Sequence, residues 1–134
     1  MGCEFGKNND ENVFGSRFNL PIENWDVSSV TDMREMFAYS KFNQPIGGWD
    51  VSSVKTMMRM FSVSQFNQPI GDWDVSSVTD MREMFDFSKF NQPIENWDVS
   101  SVTEWKMSQM FLHSPLQDIP PHWYSYGPKR QYYE

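Results

Sequence analysis

The chain has 134 residues, and its 11 Lys and Arg stand against 18 Asp and Glu for a net charge of −7. That length holds one domain, and the acidic balance argues against a nucleic-acid backbone as partner, since Lys and Arg supply that affinity. Only 39% of the residues are hydrophobic, yet 11 are Phe, 6 are Trp and 10 are Met. A few bulky side chains must therefore supply the core.

The first segment, residues 1–17, reads as an N-terminal tail or cap. It has no apolar run of the kind a secretion signal needs, and no stretch of the chain approaches the ~20 apolar residues of a membrane span. The expectation is intracellular synthesis, in a cytoplasm or a virion, in preference to a bacterial cell surface. Cys3 is the single cysteine, so no internal disulfide can form. Gly2 and Cys3 resemble a lipidation site, although Gly6 stands where the myristoylation motif wants Ser or Thr. Membrane association is expected only if one of them is lipidated.

From Phe18 onward the chain repeats. Phe18, Phe42, Phe66 and Phe90 open the same phrase, and Trp25, Trp49, Trp73 and Trp97 keep the same 24-residue step. The units are 18–41, 42–65, 66–89 and 90–115, the last with two extra residues before Met110-Phe111. Residues 116–134 read as a degenerate fifth unit and an aromatic C-terminal cap, with Leu116 and Trp123 in the anchor places. A period this short means stacked coils, each covering its neighbour's apolar face.

Within a coil, Val30, Met33 and Met36/Phe37 fall at helical spacing, and Ser28 or Ser29 with Asp32 resembles a capping box. This predicts a short helix from about Val30 to Tyr39. Trp25-Asp26-Val27 alternates apolar and polar as a short strand does, behind a Pro-containing turn. The predicted fold class is α/β: a leucine-rich-repeat-like solenoid of about four turn–short strand–short helix coils.

The phrase Phe-Asn-Gln-Pro-Ile-x-x-Trp-Asp-Val-Ser-Ser-Val-Thr-Asp-Met-x-x-Met-Phe resembles the BspA-like short-repeat bacterial surface protein family, grouped with leucine-rich repeats. The likeness covers about residues 18–113. It implies a leucine-rich-repeat-like solenoid with roles in adhesion or protein binding. The chain departs from it in a slightly shorter spacing after Met-Phe and in lacking the lipoprotein signal.

The Phe and Trp columns are expected to form the core, because aromatics bury about 150–250 Å² each. The Asn column (Asn19, Asn43, Asn67, Asn91) is expected to satisfy turn backbone. His113, His122 and Cys3 offer no nucleophile and base with an orienting third group, so no catalytic site, metal or cofactor is expected. The leading reading is a non-enzymatic repeat protein, a protein-interaction, scaffolding or assembly component, including one of a larger particle such as a virion. Its partner would be a protein or a repetitive assembly. The candidate interaction face is Arg34, Glu35, Met58, Arg59, Arg82 and Glu83, with the variable pairs before each Trp. The alternative is a surface adhesin or carbohydrate-binding module, whose surplus aromatics would be Tyr39, Phe87 and the tail tyrosines.

The Asp column (Asp26, Asp50, Asp74, Asp98) reads as Asx turns onto the two following serines in preference to a calcium ladder, being poor in charge for a cation that takes six to eight oxygens. The melting temperature should accordingly be the same in chelator and in millimolar calcium. A rise of several degrees with calcium would make the column a metal site.

Overall fold

The computed structural model describes residues 17–124. Each coil is a succession of β-turns. The amide of Trp25 donates to the carbonyl of Ile22, Val30 to Val27, Met36 to Met33 and Ala38 to Glu35. The second coil repeats these pairs as Trp49–Ile46, Val54–Val51, Met60–Met57 and Ser62–Arg59, and the third coil repeats them again.

This overturns the α/β expectation. Among the described residues neither the strand at Trp25–Val27 nor the helix from Val30 to Tyr39 forms, and the leucine-rich-repeat pattern of strand and helix is absent. In their place stand isolated parallel bridges joining Asp32 to Thr56 and Thr56 to Asp80, and one 3-10 turn, Glu104–Met107. The reason lies in the backbone. Glu35 and Tyr39 both have φ of 58°, the left-handed region, which a right-handed helix cannot contain. Turns that close from residue i to i+3 also bring apolar corners around every third position, and this is the spacing that imitates a helix. Asp32 forms no capping box with Ser29. Its Oδ1 accepts the Arg34 amide at 3.0 Å.

Amides that a helix would use internally leave the coil. Met33, Glu35, Phe37 and Tyr39 donate to the carbonyls of Thr56, Met58, Met60 and Ser62 in the next coil, at 2.9–3.1 Å. Met57, Arg59, Phe61 and Val63 do the same onto the third coil, and Met81, Glu83, Phe85 and Phe87 onto the fourth. The two extra residues of the fourth coil are taken up in the 3-10 turn, after which the ladder continues through Met81 to Lys106.

Inside, two columns of phenylalanine interlock. Phe42, Phe66 and Phe90 stack at 6.1 and 6.2 Å between ring centroids, and Phe37, Phe61, Phe85 and Phe111 at 5.6–5.8 Å. The columns meet at 4.3–4.4 Å, as in the Phe61–Phe66 pair. Ile46, Val54, Met57 and Met60, with their counterparts, fill the rest of the ring. Phe18 and Trp25 in the first coil are partly buried against this core, whereas Trp49, Trp73 and Trp97 are buried in it.

The tryptophans also carry hydrogen bonds across coils. The indole Nε1–H of Trp49 donates to the carbonyl of Ile22, Trp73 to Ile46, Trp97 to Ile70 and Trp123 to Ile94, at 2.9–3.1 Å. Trp123 stacks on Trp97 at 6.2 Å, so the segment after the fourth coil lies on the same column. Replacing Trp73 with Phe keeps a ring but removes one of the two bonds that the Ile46 carbonyl accepts, leaving the one from the Trp49 amide, and should cost about 0.5–1.5 kcal/mol. Trp73→Ala should cost about 3–5 kcal/mol by leaving a cavity. Chemical denaturation measures both. A Phe variant as stable as the parent would show that the indole bond contributes nothing.

Candidate interaction face

The stretch from residue 31 to residue 39 and its counterparts form one flank of the stack, and the predicted face residues lie on it. Their cations are already engaged. Arg34 grips Asp32 through both Nε and Nη2, at 2.8–3.2 Å, and Arg82 grips Asp80 at 2.7–2.9 Å. Arg59 lies between two carboxylates, 3.5 Å from Glu35 and 3.2 Å from Glu83. Its Nε–H is close to Glu83 but off the line of a hydrogen bond. Glu35, Arg59 and Glu83 thus form a column of alternating charge, continued by Gln109 in the fourth coil, and all four have φ of 56–58°. Met58 sits half-buried beside it.

Four residues further along each coil a second left-handed column appears: Tyr39, Val63, Phe87 and His113, with φ of 52–58°. These side chains point outward. Tyr39 is 57% exposed, Val63 39% and Phe87 52%. The Phe87 ring contacts His113 at 4.7 Å. A left-handed non-glycine residue costs about 1–2 kcal/mol, and for β-branched Val63 the conformation is a true outlier. The ladder holds the backbone there, because each of Tyr39, Val63 and Phe87 donates its amide to the following coil.

The fourth coil adds a third feature. The 3-10 turn raises Trp105, which is 56% exposed, with the Arg82 guanidinium 5.2 Å and the Lys106 ammonium 4.8 Å from its ring. Lys106 also lies 3.6 Å from Asp80.

Polar columns fix the coil ends. Oδ1 of Asp26, Asp50 and Asp74 accepts both the amide and the hydroxyl of the serine two residues on, at 3.0 and 2.6 Å. Asp98 accepts the Ser100 amide. Only the first serine of each pair serves the carboxylate. These bonds hold the four carboxyls below the usual range. Asp32 and Asp80 are also lowered: partial burial opposes it, but the bonds and charge of Arg34 and Arg82 prevail. Asn19, Asn43 and Asn67 each accept the amide of the Asn in the next coil at 2.8 Å. Gln44, Gln68 and Gln92 donate to the same asparagines, a role the sequence did not disclose. Ser40, Ser64 and Ser88, all buried, accept the amides of Phe42, Phe66 and Phe90 and link one coil to the next.

Of the variable pairs before each Trp, Gly47, Gly71-Asp72 and Glu95-Asn96 border a groove of about 510 Å³. Packing decides two of these positions: a Cβ at Gly47 would stand 2.8 Å from the Pro69 carbonyl oxygen, and one at Gly71 3.0 Å from that of Pro93. Glu95 holds the terminal segment, accepting the His122 amide and contacting its Nδ1 at 2.6 Å, and these bonds lower its carboxyl. Tyr124 is buried, edge-on to Phe111 at 5.0 Å, whereas Gly2, Cys3 and the other tail tyrosines, Tyr126, Tyr132 and Tyr133, lie outside the described residues. No helix among the described residues is long and apolar enough to cross a membrane.

The family described as "Mycoplasma protein of unknown function, DUF285" matches residues 8–122. No curated protein and no solved structure matches the chain.

One carboxylate behaves differently from the rest. Asp86 takes the place that Ala38 and Ser62 hold in the first two coils, and it is buried. Burial pushes its carboxyl up, against the hydrogen bond donated by the Ser62 hydroxyl. With a folded-state value above the unfolded one, its contribution is fully present at pH below the unfolded value and is lost as pH rises through the folded one. Asp86→Ser should therefore raise stability at neutral pH. The gain should shrink to nothing below the carboxylate range. Thermal unfolding across that range checks it, and a variant less stable at neutral pH would overturn the assignment.

Proposed function

The chain belongs to the DUF285 family, and from that premise we propose that it is a non-enzymatic repeat protein serving protein–protein interaction, scaffolding or assembly. The observation that carries this reading is the outward column Tyr39, Val63 and Phe87. Stability alone would place Gly or Asn at left-handed positions and polar atoms at exposed ones. The chain keeps apolar side chains at both, and three in a row across adjacent coils give a contact ridge flanked by an ion-paired column. Large exposed aromatics are what an interface uses as anchors. The resemblance to BspA-like surface proteins supports the same class of role.

A second reading, a surface adhesin or carbohydrate-binding module, draws on the same aromatics. Tyr39, Phe87 and Trp105 are exposed beyond the core set, as a sugar-stacking surface requires.

The double variant Tyr39→Asn, Phe87→Asn should melt at or above the parent temperature, since Asn accepts the left-handed conformation more readily. It should also lose the proteins that the parent retains from its native source in a pull-down read by mass spectrometry. Retention of the same proteins by the variant would remove the ridge from the interface. Loss of glycan-array signal, with the pull-down unchanged, would favour the sugar reading.

A further inference from the structure

Arg34, Arg59, Arg82 and Lys106 are all answered by carboxylates of the stack. A second set of cations is not. Arg17, Lys41 and Lys89 each precede a phenylalanine of the column Phe18, Phe42, Phe66 and Phe90, whose rings stack at 5.9–6.2 Å. With Gln65 they therefore rise along one line, one coil apart. The backbone fixes that line, the Gln65 amide donating to the Ser40 carbonyl and the Lys89 amide to that of Ser64. All four side chains are exposed, and the three cations form no ion pair and no side-chain hydrogen bond among the described residues. Like charges on neighbouring coils repel, and Arg17 and Lys41 are such neighbours. The row also runs beside the outward ridge: only the buried serines Ser40, Ser64 and Ser88 separate it from Tyr39, Val63 and Phe87.

We propose that this row recognises carboxylates, and that the partner of the ridge is an acidic protein segment laid along the stack. Its apolar side chains would cover Tyr39, Val63 and Phe87, and its Asp or Glu side chains would meet Arg17, Lys41 and Lys89. The inference rests on the interface reading of the ridge given above. Charge complementarity favours this occupant, because the column on the other side of the ridge, Glu35, Arg59 and Glu83, already answers its own cation. Spacing favours it too. Paired backbone segments lie about 4.8 Å apart, so side chains two coils apart, as Tyr39 and Phe87 or Lys41 and Lys89 are, stand about 10 Å from each other. An extended chain covers that distance in about three residues, so a segment repeating an apolar and an acidic residue every third position matches ridge and row together. The middle of the ridge is Val63, which packs against an apolar side chain but offers a sugar ring no flat face.

Selection of random 12-residue peptides displayed on phage against the purified full chain tests this, since it reads the composition that the surface prefers. The selected peptides should be enriched in Asp and Glu beside Leu, Phe or Tyr. Fluorescence polarisation with a synthetic peptide of the selected consensus then measures the row directly. The double variant K41E, K89E should weaken binding at least tenfold, by setting like charge against like. Q65K, which completes the row, should tighten it about two- to fivefold. Both effects should shrink at high salt. Circular dichroism and thermal unfolding establish that these exposed substitutions keep the parent fold. A selection that enriches no acidic peptide would overturn the proposal, and alginate binding in its place would give the row to a sugar polymer. Affinity lost with Tyr39→Asn, Phe87→Asn but unchanged in K41E, K89E would also overturn it and leave the ridge standing. Affinity lost in K41E, K89E alone would keep the row as a carboxylate site and remove the ridge, so the two readings fail separately.

Discussion

In each of the first three coils four alternate amides, those of Met33, Glu35, Phe37 and Tyr39 in the first, leave their own turns and donate to the coil that follows. The rest of the architecture depends on this exchange. Backbone polar groups that are buried must be paired, and a closed ring of β-turns cannot pair all of its own. Sending them onward ties each coil to the next and fixes their register. Two of the four donors in the first coil, Glu35 and Tyr39, stand in the left-handed region, where the chain turns between successive bonds.

Once the register is fixed, every residue type stacks on its own kind, and the chemistry of each column has to tolerate that. Phenylalanine gains by it, because parallel offset rings pack well. Asparagine gains too, its side-chain carbonyl accepting the amide of the next asparagine. Carboxylates do not, and three solutions appear. The Asp26 column is exposed and bonded to its own serines. The Glu35 column is interrupted by Arg59. The Asp32 column changes to Thr56 before returning to Asp80. The few departures from exact repetition are thus largely electrostatic.

Much of this was legible in the sequence, and the remainder failed for a definite reason. The 24-residue step, the aromatic core and the Asx turns are all visible in residue order, because they depend on which side chains recur and on bonds two residues apart. The local conformation was not. Val30, Met33 and Met36 have the spacing of a helix face, but the same spacing marks the corners of consecutive turns, and composition does not separate the two. The bonds that decide between them join residues 23 positions apart, such as Met33 and Thr56. Left-handed Glu35 and Tyr39 carry no sequence signal, being neither Gly nor Asn. Nor did the sequence disclose that Tyr39, Val63 and Phe87 form one exposed row, since nothing in their chemistry is shared beyond being apolar. The Trp indole bonds were equally hidden, although the constancy of the Ile three residues before each Trp is their trace.

The direction of the coil-to-coil bonds has a mechanical consequence. They run along the axis of stacking, so tension applied between the two ends meets the interfaces one after another instead of sharing its load among them. Each interface carries four ladder bonds, one indole bond and one asparagine amide bond. The first two add a backbone pair, Lys55 to Thr31 with Gln65 to Ser40 and Thr79 to Lys55 with Lys89 to Ser64, and the weakest interface gives way first. A released coil contributes 24 residues of free chain, about 80 Å of length at roughly 3.3–3.6 Å per residue. The remaining coils keep their own bonds while this happens. A stack of this kind therefore lengthens in steps under strain and takes up slack without losing its grip all at once, the behaviour of an extensible tether more than of a rigid strut.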